Sequence, residues 1–472
     1  MLHGVIENFG FIPAGDAFLL AGIYGAATLV VFLLCRWYYR NTVKAALMSA
    51  FIMVVYLFFG AIHDFLLRHL PFIGKYSVLL TLLLVLLLTA GYRLKRAGPL
   101  LRLVLLLNIV FGLYMLIDGV QLGARLIHPP ANKLAIQRPG YAYLPVQQAQ
   151  KPDIYFLIFD EYASSLALQQ NYGYHNTLDS LLEAQQFHVQ PKSYSNYSFT
   201  PLSTASILNM SYLRGLQTGD TISVPDFNYC LSLIKNNEVI RFLSELGYDI
   251  KNYSTFDLAG APATSIETLL PLKTKLITSN TLLSRMTRDM AWVFFKGPLA
   301  KWFYDPFNGA RRINKKILDD LQEQSARKGA HPVFVYGHIY MPHGPYLYDS
   351  AGRLNEPRFA VNPDSAHKPG AYLGYLAYAN KEIMKLVTAI RHNTQNKAAI
   401  ILMGDHGFRY HEKQYLHQNY QNLNAVYLPG GDYHQLYDSI TCVNQFRTVL
   451  NSLFGQSIPL LKDSTVFLTG MQ

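Results

Sequence analysis

Apolar residues in this chain are gathered toward one end. Residues 17–35, 45–62, 76–92 and 103–120 are each almost free of charge. Each is long enough, at about 1.5 Å of rise per residue, to cross a hydrocarbon core of roughly 30 Å. The pattern predicts four transmembrane helices. A buried core helix would account for one such stretch, but four in succession argue for a membrane domain. The segment 128–151, HPPANKLAIQRPGYAYLPVQQAQK, is rich in proline and polar residues, has no helical period, and reads as a linker. From residue 152 the pattern changes to short β-branched and aromatic runs, DIYFLIF, PVFVYGH and AAIILMG. These alternate with amphipathic stretches such as ARRINKKILDDLQEQSARKG and GYLAYANKEIMKLVTAIRHN. Strand alternating with helix predicts an α/β domain over 152–472 with a mostly parallel central sheet flanked by helices. The expected organisation is therefore a helical membrane domain over 1–127, a linker over 128–151, and the α/β domain.

Charge orients the membrane part. Arg36, Arg40 and Lys44 fall between the first and second spans, and Arg93, Lys95, Arg96 and Arg102 between the third and fourth, whereas the N-terminus carries Glu7 and Asp16. By the positive-inside rule both basic loops are cytoplasmic, which puts the N-terminus and the α/β domain on the outer side. Residues 1–127 hold ten Lys and Arg against four Asp and Glu, so over half of the formal charge of +11 belongs to the membrane part. The basic balance is a signature of membrane topology, and no nucleic-acid partner is expected. A cleavable signal peptide fits poorly, because the first span ends in Arg36 and Arg40. Asp64 and Asp118, near the outer ends of the second and fourth spans, can be read as seats for a lipid headgroup or as ordinary interfacial residues. Cys35 lies in the first span. Cys230 and Cys442 lie in the outer part, where they can pair or stand as ordinary buried thiols.

In open α/β sheets the chemistry collects just past the carboxyl ends of the strands. Asp160 and Glu161 end DIYFLIF, His338 ends PVFVYGH, and Asp405 and His406 follow AAIILMG. One such acid alone reads as a turn or a helix cap. Three strands with the same kind of ending point to a cation, because carboxylates gathered at one sheet edge are costly to bury unpaired. Carboxylate and imidazole donors suit zinc, manganese or magnesium better than a thiol-liganded metal. The stretch SNYSFTPLSTASILNM offers Thr200, Ser203, Thr204 and Ser206 at the start of an apolar helix. On that segment alone, an N-cap entering a buried helix explains the hydroxyls.

The order of Asp160–Glu161 after a strand, Thr200 heading a helix, His338 and His343, then Asp405–His406 and His417, resembles the sulfatase and phosphotransferase branch of the alkaline phosphatase superfamily over roughly residues 152–430. In layout the chain resembles lipoteichoic acid synthases and lipid A phosphoethanolamine transferases, which typically have five spans where this chain has four. Sulfatases carry a cysteine, modified to formylglycine, in a Cys-x-Pro-Ser-Arg motif. Here TPLSTASILN stands in its place, with Thr200 at the cysteine position, Ser203 three residues on, and no arginine. The resemblance implies a Thr200 nucleophile sharing a divalent metal with Glu161, Asp405 and His406. Asp160 is either a further ligand or a residue that orients one. His338 and His343, in GHIYMPHGPY, would hold phosphate oxygens and protonate the leaving alkoxide, and His417 would be a further histidine on the substrate side. His411 matches no position in the pattern.

The activity so implied is transfer of a phospho-headgroup, of the phosphoethanolamine or phosphoglycerol type. The donor would be a phospholipid and the acceptor an envelope lipid or glycan, through a phospho-threonine intermediate. It implies a multi-pass protein of the bacterial cytoplasmic (inner) membrane with its catalytic domain on the periplasmic or extracellular side. A hydrolase of phosphodiesters or sulfate esters on the same scaffold, and a non-catalytic membrane scaffold, are the alternatives. Headgroup, acceptor, metal identity and oligomeric state are left open by the residues.

Overall fold

The structure is a computed structural model, and it describes residues 2–128, 132–137, 140–146, 151–264, 274–290, 308–355, 369–409 and 413–471. The chain forms two compact units, one made of residues 1–131 with 267–306 and the other of 132–266 with 307–472.

The first unit holds four helices long and apolar enough to cross a membrane: α1 (Ala14–Tyr39), α2 (Thr42–His69), α3 (Tyr76–Arg96) and α4 (Leu101–Ile127). Each contains the corresponding stretch expected from sequence. Their outer faces carry exposed Phe18, Leu29, Trp37, Leu84, Leu105 and Leu116. So much apolar surface on helices of this length suits a lipid environment. The two basic loops lie at one end, where Lys44 Nζ donates to the carbonyls of Lys95 (2.9 Å) and Ala97 (2.6 Å). That shared end is what the positive-inside reading requires.

At the other end the chain makes an excursion that the sequence did not announce. Helix α5 is Thr200–Asn209, and α6 (Leu282–Asp289) follows far downstream, yet α6 belongs to the first unit. Thr281 caps α6 by accepting from Ser284 N. Arg285 grips Asp64 of α2 with both Nη atoms, at 2.9 and 2.6 Å, and Asn280 O accepts from Gly60 N at 2.7 Å. Gly60 has to be glycine here, since a Cβ would come within 2.6 Å of Arg285 Nε and 2.8 Å of Asn280 Cα. Tyr76 donates to Asp289 Oδ2 at 2.5 Å. The lipid-headgroup reading of Asp64 and Asp118 changes accordingly, for Asp64 is taken by Arg285 and Asp118 lies 3.3 Å from His3 Nδ1.

Arg285 is nearly buried and Asp64 half exposed, so losing the carboxylate is expected to cost about 1–2 kcal/mol, between the surface and buried limits. Asp64→Asn and Arg285→Gln should each speed proteolytic cutting within 274–290 in membrane fractions. Because the two groups act as one pair, the double variant should be cut no faster than either single one.

The second unit is built on a six-stranded sheet. Its strands are β1 (Ile154–Phe159), β2 (His188–Val189), β3 (Asp249–Tyr253), β4 (Val333–Ile339), β5 (Ala399–Met403) and β6 (Asn424–Tyr427), in spatial order β2-β6-β5-β1-β4-β3. The four strands β5, β1, β4 and β3 are parallel, while β6 runs antiparallel to β5, and β2 to β6. The sheet is mixed, with the expected parallel part at its centre. Every residue of β1 is buried, as a strand covered on both faces should be. On one face Phe156 and Ile158 pack with Leu202 and Leu208 of α5 and with Phe446 and Leu450 of a C-terminal helix, Gln445–Phe454. On the other, Tyr155 and Leu157 pack with Leu321 of α7 (Asn308–Ala326) and with Tyr375 and Leu376 of α8 (Pro369–Asn393). Each fully buried side chain of this kind is worth about 1.5–3 kcal/mol, which makes the central strands a rigid platform.

Part of the segment expected as a linker is fastened to this unit. Ala135–Ile136 pairs antiparallel with Leu213–Arg214, Lys133 N donates to Asp226 Oδ1 at 2.8 Å, and Leu134 is buried. The prolines around this short strand conceal its alternation. Cys230 and Cys442 are buried and free.

Candidate metal and nucleophile site

Register brings the acidic strand ends level. Ile158 of β1 pairs with both His338 of β4 and Met403 of β5, and Asp160 N donates to Ile339 O at 2.9 Å. Asp160 therefore leaves the sheet beside Gly404 and Asp405. Ligand atoms of Asp160, Asp405 and His406 all lie within 4.8 Å of one another, and all three residues are buried. Asp405 Oδ1 accepts from the backbone N–H groups of Glu161 and His406, both at 3.0 Å. His406 Nδ1 donates to Gly407 O at 2.8 Å, which leaves Nε2 as the unprotonated nitrogen turned into the group. That Nε2 is 3.7 Å from Asp160 Oδ1 and 3.5 Å from Asp405 Oδ2.

Thr200 enters from the first turn of α5, its Oγ1 3.5 Å from His406 Nε2. One turn on, Ser203 Oγ donates to Asp405 O at 2.6 Å and pins the helix to the loop after β5. Among the described residues, Asp160 Oδ1 and Asp405 Oδ2 make no hydrogen bond. Two buried carboxylate oxygens left bare beside a lone-pair nitrogen would be costly in a finished core. They suit a cation, and two carboxylates, an imidazole and a hydroxyl form a hard donor set able to hold a divalent metal ion.

The second histidine of the group comes from β4. His338 is fully buried, its Nδ1 2.9 Å from Tyr336 Oη and its Nε2 3.7 Å from Asp160 Oδ2. Burial alone would push the Asp160 carboxyl up, yet the imidazoles of His343 and His338 outweigh it and hold the group well below the usual carboxylate range.

Glu161 differs from the expectation that it is a metal ligand. Consecutive residues leaving a strand point opposite ways, so the two carboxylates of the Asp–Glu pair separate, and it is Asp160 that faces Asp405 and His406. Glu161 has a φ of 62°, a left-handed conformation uncommon outside glycine. Its Oε1 accepts from Arg409 N at 3.1 Å and from Arg409 Nε at 3.3 Å, and its Oε2 is 4.0 Å from His343 Nε2. Burial would lower the Arg409 guanidinium, but the carboxylates of Glu161, Asp160 and Asp405 outweigh it and raise it. His343 thus stands with Glu161 and Arg409 at the rim of the group. His417 is exposed, its ring edge-on to Phe467 at 4.9 Å, and among the described residues it makes no contact with Asp160, Asp405 or His406. His411 lies outside the described residues. Arg409 and Tyr336 carry no signal of their own in the sequence, and Ser203 is legible there only as a hydroxyl at a helix start. The register of β1 with β5 was the signal that could have placed Arg409 near Glu161.

Gly407 keeps the loop tight, for a Cβ there would sit 2.3 Å from Gln418 O and 2.6 Å from Gln421 O. Because both neighbours are backbone, the loop itself must move. Gly407→Ala is expected to cost about 1–3 kcal/mol in denaturant unfolding and to weaken metal affinity in a direct titration.

A family model described as Sulfatase matches residues 158–446. No curated protein matches the chain. Among solved structures, the chain is similar to the C-terminal periplasmic domain of EcEptC from Escherichia coli, with 14% identity, 70% of this chain and 93% of that one covered, and a TM-score of 0.41. It is also similar to the phosphonate monoester hydrolase SpPMH from Silicibacter pomeroyi, with 15% identity, 67% and 76% covered, and a TM-score of 0.41. A third is the C-terminal periplasmic domain of phosphoethanolamine transferase EptC from Campylobacter jejuni, with 12% identity, 66% and 92% covered, and a TM-score of 0.40.

Proposed function

The chain belongs to the sulfatase family, and on that premise we propose that it is a membrane-anchored, metal-dependent phosphotransferase. It moves a phospho-headgroup, of the phosphoethanolamine or phosphoglycerol type, from a phospholipid to an envelope lipid or glycan. The observation that carries this reading is the residue at the head of α5. A threonine cannot become formylglycine, so the group set beside the metal-holding residues is a plain hydroxyl, 3.5 Å from His406 Nε2.

A divalent ion held by Asp160, Asp405 and His406, whether zinc, manganese or magnesium, would supply Lewis acidity that lowers the pKa of a neighbouring hydroxyl oxygen, as it lowers that of water from 15.7 to about 7. Thr200 Oγ1 attacks the phosphorus of the donor; the new O–P bond forms as the bond to the lipid alcohol breaks. The threonine proton passes by way of the His338 imidazole, whose Nε2 makes no hydrogen bond among the described residues, to the departing alkoxide. In the second half the acceptor hydroxyl attacks the phospho-threonine, gives up its proton by the same route, and restores Thr200. Ser203 and the Glu161 N–H keep the Asp405 loop in register throughout. Four helices long and apolar enough to cross a membrane support a membrane-anchored setting, which in this reading is the inner membrane with the catalytic domain on its outer side. Donor and acceptor share the outer leaflet there, and tethering raises their effective concentration.

The test is a mass measurement on the purified full-length chain in vesicles of phosphatidylethanolamine or phosphatidylglycerol, with no acceptor added. A headgroup phosphate on the Thr200 peptide, with matching release of diacylglycerol, is the expected result. Persistent absence of any adduct would overturn the covalent mechanism. Steady release of free headgroup without an acceptor would make the protein a hydrolase instead.

A further inference from the structure

Arg409 is not part of the metal-holding group, yet it is built into the same sheet edge. Its backbone N–H and Nε donate to Glu161 Oε1, at 3.1 and 3.3 Å. Its Nη2 is 3.0 Å from His343 Nε2. His343 Nδ1 is committed to Gly344 O, so Nε2 is the acceptor of that contact. The guanidinium carbon lies 6.0 Å from the ring of Phe199, the residue that precedes Thr200. The hydrogen bonds of Arg409 to the described residues run through N, Nε and Nη2, and none through Nη1. The pair has one closed side and one open side, for the Glu161 side chain is 7% exposed and that of Arg409 is 32% exposed.

Charge balance says what the open side is for. The carboxylates of Asp160 and Asp405 match one divalent ion, and Glu161 is matched by Arg409. Glu161 thus has no call on the metal, and the face that Arg409 turns outward is a positive fork beside the nucleophile. A planar guanidinium whose Nη1 is unfilled still offers a fork of N–H donors to phosphate oxygens, a geometry that an ammonium lacks.

We propose that Arg409 receives the anionic oxygens of the phosphodiester that lies over Thr200, and that Glu161 is its positioning residue and not a metal ligand. The nature of the ligand rests on the phosphotransfer reading above, but the binding test does not depend on turnover. Inorganic phosphate is the probe, titrated calorimetrically into the metal-loaded full-length chain in detergent, with metal content measured after dialysis. Arg409→Gln is expected to weaken phosphate binding about 10- to 100-fold with metal content unchanged. Arg409→Lys, which keeps charge but not the fork, should recover only part of that loss. Glu161→Gln should keep its metal and lose phosphate affinity, because the guanidinium is no longer held. Wild-type phosphate affinity in Arg409→Gln would overturn the role of Arg409, and loss of metal in Glu161→Gln would overturn that of Glu161. Failure to trap an adduct on Thr200 would sink the transfer reading while leaving both of these outcomes to be read.

Discussion

Thr200→Ala is expected to lower turnover about 10⁴- to 10⁶-fold, the range seen when a covalent nucleophile is deleted, and to abolish the headgroup adduct entirely. The substitution removes one oxygen and little else. Thr200 is the first residue of α5, its Oγ1 makes one long contact, with His406 Nε2 at 3.5 Å, and the packing of the helix rests on Leu202, Ala205 and Leu208. Alanine is a better helix former than threonine, so thermal stability should hold within about 0.5 kcal/mol. Asp160, Asp405 and His406 all survive, so metal should still bind. The variant would thus be folded, loaded and inert. Thr200→Ser restores a hydroxyl with a looser χ1 and should keep turnover within about tenfold of wild type. A Thr200→Ala protein that retains transfer in a headgroup-release assay would remove the nucleophile from the proposal.

The nucleophile is what the resemblance to the sulfatase branch implies, whereas the elements around it are legible in the chain itself because they depend on local signals. The four membrane helices announce themselves by length and lack of charge. β1, β4 and β5 do so by buried runs that end in Asp160, His338 and Asp405, and a parallel sheet must bring such ends to one edge. Readings that depended on side-chain direction or on distant contacts fared differently. The resemblance implies Glu161 as a ligand, with Asp160 as a further ligand or a residue that orients one, whereas the alternation of a strand turns Asp160 toward Asp405 and His406. His417 matches a family position by its place after His406, but it lies in a 3₁₀ helix, Lys413–Tyr420, with its imidazole on the surface. The clamp between Asp64 and Arg285 spans 221 positions and has no local pattern at all. Arg409 carries no local signal, and only the register of β1 against β5 reveals what it can reach.

Asp405→Asn should separate what the site does for stability from what it does for function. The asparagine Oδ1 can still accept from Glu161 N and His406 N, as Asp405 Oδ1 does at 3.0 Å, so the loop keeps its shape. What changes is Oδ2, the bare oxygen that stands 3.5 Å from His406 Nε2 and within the same 4.8 Å group as Asp160. An NH₂ there donates where a lone pair should coordinate, and the charge that would balance the ion falls by one. Metal affinity should therefore drop by several orders of magnitude, and turnover with it, by about 10³-fold or more. Without metal the effect on stability reverses. Two carboxylates buried side by side repel one another, and neutralising one relieves that repulsion, so the metal-free variant should melt no lower than metal-free wild type. Wild type should gain about 4 kcal/mol from metal at a thousand times its dissociation constant, a gain the variant lacks. Melting curves of both proteins with and without added zinc, manganese or magnesium would read this crossing directly. A metal-free variant that unfolds well below metal-free wild type would mean that Asp405 holds the fold together by itself and is not stored as a ligand.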